Sequence, residues 1–410
     1  MRPESPSEKQ WQNPLSRVGV KPAEGESLST RRNRGAWLMA AITTTNTLCR
    51  SLLPAFLAAA ALLGGTPPRS TRAEELATNL ELVPMQEPAY DLTYVAACGV
   101  PPVAEPLWTS YALTDALFWG RDNQAVNRPL VVGVGTNAPL ISAREPQFAV
   151  APGVRAFYGQ RSPCECGWEI GYFGIYGATA SRSVVTMDPF LQMPEPIGQS
   201  MTSNGEQATV KYTTVINSAE ANAFLTRHEW RDHSQSWLTV DWLAGFRYVG
   251  VEDNASILMD SCQADDPELR TTVPYSVRTR NNMFGGQIGV RPRWTWDRWA
   301  LEGWAKAGLL GNSQKQIQDP LIDYTGFQQR PGLSATGSET AFIGDINLSV
   351  IYRLTDVWGI RAGYNVVWID GLALAPNQFA FGATDVAGTA LASSGGMFLS
   401  GANLGLEARW

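Results

Sequence analysis

The strongest constraint in this sequence is an alternation of apolar and polar residues with a period of two. Successive side chains of a β-strand point to opposite faces at that spacing. In SWLTVDWLAGFRYVG, Leu238, Val240, Trp242, Ala244, Phe246 and Tyr248 share one face, opposite Thr239, Asp241, Gly245 and Arg247. AFIGDINLSVIYR sets Phe342, Ile346, Leu348, Val350 and Tyr352 against Asp345, Asn347, Ser349 and Arg353. WGIRAGYNVVWID repeats the pattern, with Trp358, Ile360, Ala362, Tyr364, Val366 and Trp368 against Arg361, Gly363 and Asn365. The stretch MFLSGANLGLEARW keeps the same beat through Ala402, Leu404, Leu406, Ala408 and Trp410.

From Leu107 onward this grammar predicts strands near Trp108 to Trp119, Phe148 to Tyr158, Trp168 to Ala178, Ala221 to Trp230 and Trp237 to Val249. Five more follow near Phe284 to Trp294, Trp299 to Leu310, Ala341 to Arg353, Trp358 to Ile369 and Ala402 to Trp410. Tyr275 to Arg280 reads either as a separate strand or as the start of its neighbour, so the expectation is ten to twelve strands. A soluble sandwich and a membrane barrel both alternate. The aromatic residues decide between them, because they sit at the ends of the apolar faces, where a membrane interface offers a half-wet environment for Trp and Tyr. A sandwich core has no reason to favour strand ends. Closure also pairs the first strand with the last and leaves no backbone open in lipid. The fold class expected is therefore all-β, an antiparallel transmembrane β-barrel.

The hydrophobic share of 44% and charged share of 17% leave ample material for such a domain. A net charge of -6 without a basic excess argues against nucleic acid as a partner. Arg50 precedes an apolar run from Ser51 to Gly65, and Thr71-Arg72-Ala73 offers small residues for cleavage, so export with a mature chain from about Glu74 is expected. Met39 would give a signal of ordinary length. The expected organisation is an N-terminal extension with signal peptide at 1–73, a proline-rich linker at 74–106, and the barrel at 107–410. Cys49 leaves with the signal. Cys98, Cys164, Cys166 and Cys262 remain, and in an oxidising compartment they read as disulfide or free-thiol loop cysteines.

Three chemical motifs fail on spacing. Cys164-Glu165-Cys166 lacks two further zinc ligands nearby. His228 and His233 are five residues apart beside a strand, whereas a zinc-protease helix needs them four apart. VVGVGTNAPL holds Gly133 and Gly135 but no third glycine or following helix, so it reads as a loop or hairpin rather than a dinucleotide loop. No G-x-S-x-G surrounds a serine. The expectation is a non-enzyme with no cofactor and no metal.

Several stretches resemble family 7 of the β-barrel porins of bacterial outer membranes. They are TDALFWG (Thr114 to Gly120), LAGFRYVGVED (Leu243 to Asp253), TRNNMFGGQIGV (Thr279 to Val290), INLSVIYRLTDVWGIRAGYNVVW (Ile346 to Trp368) and the closing NLGLEARW. They lie in order and cover most of the chain after Leu107. The resemblance implies an outer-membrane barrel of porin type, but no particular solute and no catalytic residue.

If the apolar faces meet lipid, the opposite faces line a lumen. The candidates are Arg155, Glu169, Asp241, Arg247, Gln287, Arg291, Glu302, Lys306, Asp345, Asn347, Arg353, Arg361, Asn365, Glu407 and Arg409. Both charge signs occur, which points to interlocked ion pairs or a transverse field rather than a single-sign filter. Two readings stay open: passive diffusion of small hydrophilic solutes, and a structural or adhesive surface barrel whose lumen is closed. Segments Ser181 to Ser218, Glu252 to Thr272 and Asn312 to Thr340 read as extracellular loops or a plug. Leu404, Leu406 and Trp410 resemble the final-strand signal read by the barrel assembly machinery. The partners expected are thus outer-membrane lipid and that machinery.

Overall fold

The computed structural model describes residues 109–410 apart from 163–164, 187, 202–204, 232–235, 264–265 and 385. The expected signal peptide, linker and Cys98 fall outside the described residues, as do Cys164 and the side chains of Cys262, His228 and His233.

Among the described residues, ten long strands form the wall. They are β1 (Thr109–Arg121), β2 (Ala151–Arg161), β3 (Cys166–Val185), β4 (Gly205–Arg231) and β5 (Ser236–Gln263). They continue as β6 (Asp266–Trp296), β7 (Trp299–Gln318), β8 (Leu333–Arg353), β9 (Trp358–Leu372) and β10 (Gly395–Arg409). Each pairs antiparallel with the next. β10 returns to β1, in a register running from Tyr111↔Arg409 to Arg121↔Leu399. The sheet therefore closes on itself as an antiparallel ten-stranded barrel, at the lower end of the range expected from the pattern. Trp410 seals the seam, donating its N–H to the Ser110 carbonyl at 3.0 Å and accepting from the Ser110 N–H at 2.8 Å.

The two ends differ. The seam, the two-residue turn Asp297-Arg298 and the short link from Arg353 to Trp358 lie at one end. The connections 122–150, 186–204, 319–332 and 373–394 lie at the other. Short periplasmic turns and long extracellular loops are the rule for outer-membrane barrels, which orients the molecule.

The wall is inside-out relative to a soluble protein. Ile346, Leu348 and Val350 of β8 and Ile360 and Tyr364 of β9 are exposed on the outer surface, while Asn347, Ser349, Arg361 and Asn365 between them are buried. On β5 the apolar outer row runs from Leu238 to Tyr248. Ten residue steps of about 3.3 Å, tilted about 40°, give a band about 25 Å tall, the lipid-facing height of this class. Trp294, Trp299, Trp358 and Trp410 lie exposed at the periplasmic margin, and Phe118, Tyr248, Phe284 and Phe398 at the other. Aromatic girdles at both interfaces are where such rings are most stable.

Above this band several strands continue, which corrects the sequence reading. Most of Ser181 to Ser218, Glu252 to Thr272 and Asn312 to Thr340 is strand rather than loop, and Tyr275 to Arg280 belongs to β6. The period of two persists there, but the chemistry inverts: Val210, Tyr212, Ala255, Ile257, Val273, Tyr275 and Val277 point inward and are buried, while Lys211 and Asn254 point out. Outside the membrane the outer face meets water and the inner face needs an apolar core, so polar, turn-like residues appear on the surface of regular strands. VVGVGTNAPL forms a hairpin, Pro129–Gly133 against Pro139–Ser142, joined to the wall through Leu191–Gln192.

Candidate functional site: the barrel lumen

The lumen is stacked in layers, each set by the height at which a strand residue points inward. The periplasmic half holds an ion-pair lattice. Arg361 of β9 is fully buried and lies 3.3 Å from Asp115, 3.5 Å from Glu302 and 3.7 Å from Glu407. Arg155 bonds Asp115 through Nε at 2.8 Å and Asn365 at 2.9 Å. Arg293 bridges Glu302 and Glu407, each at 2.9 Å, and Arg409 reaches the same two carboxylates. Arg291 joins Glu169 and, at 3.0 Å, Asp241, which also accepts from Arg161 at 2.8 Å. Lys306 bridges Glu220 and Glu169. Arg247 pairs with Asp345 at 3.1 Å and donates to Ser218 at 2.9 Å. At the centre the Trp304 indole donates to Asp345 at 3.0 Å, with Arg155 and Lys306 over its ring at 4.7 and 5.3 Å.

Unpaired charges are very costly away from water, so a lattice of alternating sign is the arrangement a narrow polar interior can sustain. Its pairing leaves little free space in the lumen at this level. Two cavities between these side chains hold about 10 Å³ each, room for about one water molecule.

Above the lattice lies an apolar ring. Leu117 and Trp119 of β1, Ala151 of β2, Phe173 and Ile175 of β3, and Ile216 of β4 point inward. They meet Val249 and Val251 of β5, Met283 of β6, Leu310 of β7, Ile343 of β8, Val367 and Ile369 of β9, and Met397 and Leu399 of β10. All ten strands contribute, and each of these residues is 5% exposed or less. Beyond the ring, Asp253 accepts from Arg121 at 3.1 Å, Tyr212 at 2.6 Å and Thr214 at 2.7 Å, and the Arg121 guanidinium lies 4.6 Å from both the Phe148 and the Tyr212 ring, which meet edge-on.

The extracellular mouth is filled by the chain itself. Gly371, at φ +81°, turns the path out of the wall, and a Cβ there would lie 2.5 Å from the Thr340 carbonyl. The diverted segment is held by inward-pointing amides. Asn281 makes both bonds a neighbouring strand would make to Ala373, donating to its carbonyl at 3.0 Å and accepting from its N–H at 2.8 Å. On β7, Asn312 and Gln314 donate to Gly371, Gln316 to Gly388 and Gln318 to Gln378, at 2.7–3.0 Å. Tyr275 anchors Ala380; burial pushes its hydroxyl pKa up, against the pull of the Ala380 backbone and Arg330. In the hairpin 321–330, burial would raise the Asp323 carboxyl, but hydrogen bonds from Thr325, Gln329 and the Phe327 N–H hold it below its usual range.

Fourteen of the fifteen lumen candidates point into the interior. Arg353 does not join the lattice: it lies at the last residue of β8 and donates to the Asp297 carbonyl of the adjacent turn. Asp115, Arg161, Glu220 and Arg293 belong to the lattice and escaped the sequence reading. Arg293 shares the phase of Gln287 and Arg291, so its signal was present. Asp115 sits among inward Leu113 and Leu117, where both faces of β1 are apolar. Leu404, Leu406 and Trp410 are exposed on the outer surface.

A closed antiparallel barrel with a lipid-height apolar exterior and a charged interior is an architecture of outer membranes. The family model described as "Putative beta barrel porin-7 (BBP7)" matches residues 162–386, more than half of the chain. The chain belongs to this β-barrel porin family. It is an outer-membrane β-barrel protein. Among solved structures, BBP7's member here is similar to the outer membrane protease OmpT of Escherichia coli at 8% identity, covering 74% of this chain and 96% of that chain with a TM-score of 0.41. The Pseudomonas putida toluene transporter TodX is similar at 9% identity, covering 75% and 90% with a TM-score of 0.21. An anion-selective porin from Comamonas acidovorans is similar at 8%, covering 74% and 99% with a TM-score of 0.13. No curated protein matches the chain.

Proposed function

We propose that this BBP7 protein is a closed outer-membrane scaffold that holds a folded extracellular cap, with no standing aqueous pore and no catalytic reaction. One observation carries the reading: every strand of the wall contributes to the apolar ring that crosses the lumen. A permeating ion would lose its hydration there and gain no polar partner, a cost of many kcal/mol. Below the ring, each carboxylate of the lattice already lies against at least one guanidinium or ammonium group.

A second reading keeps the passive diffusion of small hydrophilic solutes that the family resemblance implies. It is favoured by the way segment 371–392 is held, largely by side-chain amides on main-chain groups. Diffusion on this reading requires the segment to leave and the ring to part. Planar-bilayer recording of the refolded protein separates the two. The closed scaffold gives no conductance steps above empty bilayers; regular steps at low voltage would overturn it in favour of a diffusion pore. Export by a cleaved signal peptide and recognition by the assembly machinery complete the proposed route to the membrane. Sequencing the N-terminus of the membrane-extracted protein tests cleavage near Glu74.

A further inference from the structure

The same turn that closes the mouth uncovers a strand. β8 stays paired with β7 without a register shift from Trp299↔Tyr352 to Gln318↔Leu333. Its pairing with β9 stops at Phe342↔Asp370, because Gly371 then carries the chain inward. Above Ala341, β8 therefore has a neighbour on one side alone.

The phase of the ladder fixes which groups are left bare. At the periplasmic end the Arg353 N–H bonds the Arg298 carbonyl on the β7 side at 2.8 Å, and the Leu354 N–H bonds the Trp358 carbonyl on the β9 side at 2.9 Å. In an antiparallel ladder the residues alternate between the two sides. Odd-numbered residues of β8 thus bond β7, and Ser334, Thr336 and Ser338 aim their N–H and C=O groups into the place β9 has left. All three are exposed, and among the described residues no main-chain bond reaches them.

Sheet edges are usually guarded by shortness, proline, charge or a bulge. The Pro139–Ser142 edge is guarded: it is four residues long, begins with proline and pairs irregularly. The β8 edge has none of these devices in LSATGS, Leu333 to Ser338. Its outward side chains are small hydroxyls, and Ala335 and Gly337 face the other way, so bulky residues on an incoming strand meet no obstacle.

We propose that Leu333 to Ser338 is a docking edge for an extended polypeptide strand from a partner protein at the cell surface, added antiparallel beside β8. Alternating N–H and C=O groups at strand spacing are complemented by another peptide backbone. A symmetric second copy does not fit. Two barrels in one membrane point β8 the same way, and a two-fold axis along the membrane normal would set Ser334, Thr336 and Ser338 each opposite its own copy, N–H facing N–H. A parallel ladder needs a one-residue stagger instead. The chain's own 388–393 segment packs on the inner face, where Ser393 meets Glu339 and Leu391 lies over Gly337, and leaves the edge clear. The inference holds whether or not the lumen conducts.

The probe is a fluorescein-labelled nine-residue peptide alternating threonine and valine, with lysine at each end, added to the full-length protein in detergent micelles. Expected are saturable anisotropy and slowed hydrogen exchange at the amides of Ser334, Thr336 and Ser338. Without peptide those three amides exchange fast while Ala335 and Gly337 are protected. Thr336→Pro removes an N–H that β7 does not use, so its heat-modifiable gel mobility should stay normal while binding weakens about tenfold. Thr336→Ala should bind as the parent does. A peptide N-methylated on alternate amides gives a readout on the unmodified protein and should lose binding on one of its two edges. No saturable binding by the parent, equal binding to Thr336→Pro, or protection of all three amides before peptide is added would each overturn the proposal.

Discussion

Arg361 offers the sharpest test of how the interior is held. It is fully buried, and Asp115, Glu302 and Glu407 surround it at 3.3–3.7 Å. Arg361→Met keeps most of the volume and removes the charge. Breaking a buried ion pair by deleting one partner costs about 3–5 kcal/mol, because the other charge is stranded away from water. Here each carboxylate keeps another guanidinium: Asp115 has Arg155, and Glu302 and Glu407 have Arg293 and Arg409. The loss should therefore fall at the lower end, about 3 kcal/mol. Urea unfolding from lipid vesicles, followed by tryptophan fluorescence, measures it. Adding Glu302→Gln to Arg361→Met should cost less than the two single changes summed, since contacting charges couple by about 0.5–3 kcal/mol. Conductance should stay at background in both variants, because the apolar ring is untouched. A loss under about 1 kcal/mol, the size of an exposed pair, would refute the stranded-charge argument.

Asn281→Ala leaves the Ala373 N–H and C=O buried without partners, so a loss of about 2–4 kcal/mol is expected, read as fast hydrogen exchange in 372–378 with the wall still protected. Leu404→Arg places a cation on the lipid face well inside the band and should cost about 2–4 kcal/mol in vesicles, against about 0–1 for Trp410→Arg at the interface. If Trp410→Asp nevertheless lowers membrane levels more than Arg409→Gln does, the cause lies in recognition during assembly; equal levels would remove that role from Trp410. The Asp323 carboxylate, held below its usual range by its hydrogen bonds, supports its hairpin above the ordinary aspartate value of about 3.9 and loses that support as pH falls through the depressed value. Protection of the Thr325 and Phe327 amides, taken relative to intrinsic exchange at each pH, should fall over that interval, and Asp323→Asn should make that protection independent of pH there.

The membrane-level strands were legible because two solvents act on one strand: lipid selects Ile346, Leu348 and Val350 outside, and the charged interior selects Asp345, Asn347 and Ser349 inside. That contrast is strong wherever the two faces differ in polarity. It vanishes at Asp115, whose inward neighbours Leu113 and Leu117 are as apolar as the outward Ala116 and Phe118. It also misled above the membrane. NSQKQIQ, Asn312 to Gln318, reads as loop because all but Ile317 are polar, yet its buried amides Asn312, Gln314, Gln316 and Gln318 alternate with outward Ser313, Lys315 and Ile317. Their partners are carbonyls more than fifty residues away. Local pattern carries no sign of a partner so distant in sequence.

The inversion of chemistry along single strands explains why the barrel closes where it does. β5 keeps one phase from Asp241 to Met259, but its inward residues change from Asp241 and Arg247 to Val249 and Val251, then to Ala255 and Ile257. Within lipid, the interior is the polar side by necessity, since the outer face is already apolar. Above lipid, water takes the outer face and the interior becomes a hydrophobic core that needs filling, which the hairpin 129–142 and segment 371–392 supply. The crossover between these regimes falls at the top of the lipid band, where inward residues are apolar on every strand. A barrel that only conducted would keep its interior polar past that height; on the closed-scaffold reading proposed above, that stretch of the interior instead serves as the core of the extracellular part.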